Sequence, residues 1–96
     1  MSSVKIRSAE ISDLPVILQF IHDLAKYEKA PNEVKLSLSE LEESLFTKNP
    51  QVYCLISEAD GKATGFAVWH LNYSTWLGRH GIYLEDLYVD PKYRGL

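Results

Sequence analysis

The sequence has 96 residues, 46% hydrophobic and 24% charged, which is the balance of one small globular domain and excludes a disordered chain. Its net charge is −3 with no basic run, which argues against nucleic acid or an anionic membrane surface as partner. A single cysteine, Cys54, excludes an internal disulfide and a Cys-rich metal site; with no signal-peptide core and no apolar run near the ~18 residues of a helical span, a cytoplasmic location is expected.

In chain order, Val4 to Arg7 reads as a short strand. An amphipathic helix follows, with Ser12 as its N-cap and Pro15 tolerated in the first turn. Leu14, Ile17, Leu18, Ile21, Leu24 and Ala25 recur every three or four residues and make one apolar stripe. Ala30-Pro31-Asn32 ends it. A second helix is predicted from about Leu38 to Phe46, where either Ser37 with Glu40 or Ser39 with Glu42 has capping-box spacing. Asn49-Pro50 breaks the chain. Val52 to Glu58 reads as a strand, Asp60-Gly61 as a hairpin turn and Ala63 to Leu71 as the partner strand. Asn72 to Gly81 is expected to be a loop, Ile82 to Val89 the last strand, and Asp90-Pro91 its end.

The order β-α-α-β-β-β predicts an α/β fold of the layered α+β kind, a mostly antiparallel sheet with two helices in a single domain over residues 1–96. The last strand should lie at the sheet's edge or await a partner outside the chain.

Simple alternation along Tyr83-Leu84-Glu85-Asp86-Leu87-Tyr88-Val89 puts Tyr83, Glu85, Leu87 and Val89 on one face. Ile82, Leu84, Asp86 and Tyr88 fall on the other, so each face carries one carboxylate among apolar neighbours. A charge so placed costs free energy unless it is paired or wet. Two readings stay open: a general base with a raised pKa, or a partner for Arg79 or a helix lysine at an exposed edge. Tyr27 and Glu28 close the helix stripe, either lining a polar cleft or reaching water from the last turn. Asp90-Pro91-Lys92-Tyr93-Arg94-Gly95 is either an ordinary loop or a turn that offers N–H groups to a phosphate. His22, His70 and His80 have no metal-ligand spacing and are expected to be structural or exposed.

Together, Leu24-Ala25-Lys26-Tyr27-Glu28, Tyr73-Ser74-Thr75-Trp76-Leu77-Gly78 and the block from Tyr83 to Val89 running into Tyr93-Arg94-Gly95 resemble the GCN5-related N-acetyltransferases. Within that superfamily the resemblance is to the diamine (spermidine/spermine) and thialysine branch. It implies transfer of acetyl from acetyl-CoA, without a metal, to a primary amine of a small polyamine- or thialysine-like substrate, and usually a homodimer. Glu85 matches the residue that deprotonates the amine, through water. Tyr27, Glu28 and Trp76 match the amine-binding positions. Leu87, Tyr88 and Val89 match the backbone that holds pantetheine, with the Leu87 N–H aimed at the thioester oxygen. Arg94 and Gly95 match the opening of the pyrophosphate loop.

Two departures stand beside the resemblance. Ser74-Thr75 occupies the place of the Asp-Pro before the tryptophan in animal diamine enzymes, which removes an amine-binding carboxylate. The sequence stops at Leu96, inside the expected phosphate loop, so the domain is expected to be incomplete. The alternative to an enzyme is a truncated, non-catalytic module that self-associates or pairs with another chain through its last strand.

Overall fold

The structure, a computed structural model, describes residues 4–94. The elements are β1 (Val4–Ser8), a 3-10 turn (Ile11–Asp13), α1 (Leu14–Tyr27), a 3-10 turn (Pro31–Glu33), α2 (Leu38–Leu45), β2 (Val52–Ala59), β3 (Lys62–Ser74), β4 (Arg79–Val89) and a last 3-10 turn (Pro91–Tyr93). The strands pair antiparallel in the order β1-β2-β3-β4, so β4 is an edge. Element order, sheet type and the edge position of the last strand agree with the sequence reading.

The start of α1 differs from expectation. Ser12 is not its cap. The Asp13 carboxylate instead accepts the Glu10 N–H at 2.7 Å and two hydrogen bonds from the Arg7 guanidinium, at 2.7 and 2.9 Å. An arginine on β1 thus fixes where the helix begins, which a local cap rule does not see. At α2 the Ser37–Glu40 box is formed in both directions, at 2.9 and 3.2 Å.

The expected loop from Asn72 to Gly81 is also mostly strand. Asn72↔Gly81, Tyr73↔His80 and Ser74↔Arg79 pair across the ladder, and only residues 75–78 turn. The Gly78 N–H reaches the Ser74 carbonyl at 2.8 Å with Gly78 at φ +64, and the Tyr73 and His80 rings meet edge-on at 5.1 Å. Cross-strand pairing outweighs the turn-forming tendency of these residues. Asp60-Gly61 does form a tight hairpin turn, both residues at positive φ.

Both helices cover one face of the sheet. Leu14, Ile17 and Phe20 of α1 and Leu41 and Leu45 of α2 pack on Cys54, Ile56, Phe66, Val68 and Tyr88. Phe20 lies 5.7 Å from the Phe66 ring and 5.6 Å from Tyr88, which clamps α1 against β3 and β4. On the opposite face Ile6, Leu55, Leu71, Ile82, Leu84 and Leu87 are exposed. No element among the described residues covers them. No helix among the described residues is long and apolar enough to cross a membrane.

Candidate active site

The site is set by an irregularity in β4. Val68 stands opposite Asp86 and Trp69 opposite Leu84, so Glu85 has no opposite number and forms a β-bulge. The bulge resets the alternation. Asp86 and Tyr88 pair with the core residues Val68 and Phe66 and face the helices, whereas Leu87 and Leu84 pair with Ala67 and Trp69 on the outer face. Tyr83 stacks on His70 on the helix side of the sheet, and Glu85 reaches that same histidine. The face assignment from simple alternation is therefore overturned: both carboxylates serve the helix side.

Asp86 is half-buried. Burial first, then the charges of Glu85 and Glu28, holds its carboxyl above the usual carboxylate range. Glu28 caps the C-terminus of α1, where its N–H bonds the Leu24 carbonyl at 2.9 Å. The negative end of the helix dipole thus adds to three carboxylates. Such a patch suits a ligand with more than one positive charge.

Glu85 is more than half exposed, with Oε2 3.9 Å from Nε2 of His70. The His70 ring stacks on Tyr83 at 5.0 Å, and its Nδ1 lies 3.3 Å from the Leu71 carbonyl oxygen. Sequence reasoning missed this histidine. The short turn would have shown it, because counting back in pairs from Ser74 and Arg79 brings His70 opposite Tyr83. It missed Asp86 as a partner of Glu85 because nothing local announces the bulge.

Tyr27 is exposed at the end of α1, beside the chain that leaves β4. The Arg94 guanidinium lies 5.3 Å over its ring and 5.7 Å from that of Tyr88, while Arg94 Nε donates to the Val89 carbonyl at 2.7 Å. Leu24, Tyr27, Leu87, Tyr88, Val89 and Arg94 line a groove of about 280 Å³ along the edge of β4. The structure therefore gathers Tyr27, Leu87, Tyr88, Val89 and Arg94. Glu28 and Glu85 join through Asp86. Trp76 stands apart: it is almost fully exposed at the hairpin tip, roughly 20 Å along β3 from the level of Glu85. Gly95 lies outside the described residues. Among the described residues no three His, Cys, Asp or Glu side chains come together as a metal would require.

A four-stranded antiparallel sheet with two helices on one face is a fold shared with acetyltransferases of known structure. A ribosomal-protein-alanine N-acetyltransferase from Brucella melitensis superposes with a TM-score of 0.73 at 18% identity, over 97% of this chain and 61% of its own. An aminoglycoside acetyltransferase from an uncultured soil metagenomic sample, solved with sisomicin, gives 0.71 at 21% identity, over 96% and 59%. At such identities the likeness is one of fold. The chain belongs to the acetyltransferase (GNAT) family, whose pattern matches residues 18–96. It is 44% identical to the thialysine N-epsilon-acetyltransferase of Sus scrofa over 99% of its length, and 40% identical to the human spermidine/spermine N(1)-acetyltransferase-like protein 1. It spans 60% of the former relative and 15% of the latter.

Proposed function

We propose that the protein transfers an acetyl group from acetyl-CoA to a primary amine of a small polyamine- or thialysine-like cation, with Glu85 as the proton acceptor. The observation that carries this reading is the bulge at Glu85. It puts Glu85 and Asp86 on the helix side of the sheet, where Asp86 feels the charge of Glu28 at the negative end of α1, beside the groove along β4.

An aliphatic ammonium has a pKa near ~10.4 and attacks nothing until it loses a proton. In this reading Asp86 and Glu28 hold the cation, while the more exposed Glu85 takes the proton directly or through one water. Acetyl-CoA supplies the activated acetyl as a thioester. The residues present fit it: the outer main-chain edge of β4 at Leu87, Tyr88 and Val89 has no ladder partner among the described residues, and a guanidinium stands at its end for a phosphate. The Leu87 N–H is the donor suited to the thioester oxygen as negative charge grows there.

Turnover of a diamine by the full-length protein against pH tests the reading. Glu85→Gln should lower kcat about a hundredfold or more, with the largest loss at low pH where free amine is scarcest. An unchanged profile would remove Glu85 from the chemistry.

One observation favours a second reading, self-association through β4. The strand is an edge, and Ile82, Leu84 and Leu87 expose apolar surface beside it. Sedimentation at rising concentration separates the two: a dimer lost in Leu84→Lys supports association, a monomer throughout opposes it.

A further inference from the structure

Three contacts of His70 have no use in the chemistry above. Its ring stacks on Tyr83, its Nδ1 lies on the Leu71 carbonyl oxygen, and its Nε2 faces Oε2 of Glu85 at 3.9 Å. A carbonyl oxygen only accepts, so Nδ1 carries the hydrogen of that contact. A neutral ring is then left with a bare lone pair at Nε2, 3.9 Å from a carboxylate oxygen that is also only an acceptor. The two are reconciled when a proton lies between them, on either group or on a bridging water.

We propose that His70 is the positioning residue of Glu85: Nε2 holds the carboxylate beside Asp86 and takes over the proton that Glu85 removes from the amine. The inference rests on the reading of Glu85 given above. An N–H bond of the ammonium breaks as an O–H bond forms on Glu85. That O–H then breaks as an N–H forms at Nε2, which returns Glu85 to the carboxylate. The imidazolium, its side chain 36% exposed, gives the proton to water. The charged and titratable neighbours are Tyr83 and Glu85 beside the ring, with Asp86 and Glu28 beyond Glu85. Among side chains, imidazole is the one suited to exchange protons near neutrality.

Two variants and a rescue test the idea in the full-length protein. His70→Phe keeps a flat ring on Tyr83 but removes both nitrogens, and His70→Gln keeps a polar group without the base. Each should lower kcat about tenfold or more and leave KM for the amine nearly unchanged. In His70→Gly, added imidazoles should restore turnover in the order of their basicity, which a purely structural role would not produce. Independently of activity, the Nε2 resonance of His70 should move in Glu85→Gln while those of His22 and His80 stay in place. Wild-type turnover in His70→Phe together with a crippled Glu85→Gln overturns the role of His70 and spares that of Glu85. Rescue that ignores basicity overturns the proton transfer. Wild-type turnover in Glu85→Gln overturns both readings.

Discussion

The guanidinium of Arg94 lies 5.3 Å over the ring of Tyr27, so a residue expected on the cofactor side touches one expected on the amine side. The contact makes the end of α1 part of the groove along β4. A cation–π pair at an exposed site is worth ~0.5–1 kcal/mol, or about two- to fivefold in affinity. Tyr27→Leu should therefore weaken acetyl-CoA binding by about that factor as well as raising KM for the amine. In Arg94→Ala the same substitution should leave acetyl-CoA affinity unchanged. Titration calorimetry on the four proteins of the cycle reads the coupling directly.

Asp86 gives a pH-dependent stability with a definite sign. Its carboxyl is raised by burial and by Glu85 and Glu28, so the folded state holds its proton to a higher pH than the unfolded chain. The stability linked to this group is complete below the ordinary carboxylate pKa and is lost as pH rises through the raised one. Asp86→Asn should accordingly raise Tm at pH 7 and change little at pH 3. The same substitution should weaken binding of a diamine more than of a monoamine. A lower Tm at pH 7 would contradict the assigned cause.

Asp13 behaves the opposite way. Its bond to Arg7, then the Glu10 N–H, lowers its carboxyl pKa despite burial. The stability linked to it is present above the ordinary pKa and lost as pH falls through the lowered one. Asp13→Ala leaves Arg7 with Glu58 at 3.1 Å but without its two bonds to Asp13, and takes away the acceptor of the Glu10 N–H ahead of α1. The cost at pH 7 should be about 2 kcal/mol, roughly 10 °C in Tm for a domain of this size. Thermal melts of wild type and variant should converge as pH falls through the lowered carboxyl pKa.

Gly65 ties core packing to the proposed cofactor strand. A Cβ there would stand 2.5 Å from the Tyr88 carbonyl oxygen and 3.1 Å from the Val89 Cα, both backbone atoms that cannot swing aside. Gly65→Ala should cost ~1–3 kcal/mol and displace β4 where Leu87 to Val89 would hold the cosubstrate. Denaturant midpoints give the first effect. Tyr88 and Val89 amide shifts, larger than those near Glu85, give the second.

Much of this molecule is legible along the chain because the signals are local. The 3- and 4-residue spacing from Leu14 to Leu24 makes α1, Ser37 with Glu40 starts α2, and Asp60-Gly61 turns β2 into β3. The stretch from Tyr83 to Val89 could likewise be read as an apolar strand bearing two acids, with Glu85 as the candidate base. Even the family resemblance rests on such local blocks.

What the chain could not settle alone lies between elements. Arg7 on β1 moves the start of α1 from Ser12 to Asp13, and pairing with β4 carries β3 through Asn72 and Tyr73. Above all, the bulge opposite Val68 decides which way Glu85 and Asp86 face, since side-chain period along a strand is strict only while each residue has one partner. That single mismatch in register brings Asp86 under the charge of Glu28 and sets Glu85 beside His70. Which acids are present is written in the chain; only the ladder between β3 and β4 determines that they face the same side.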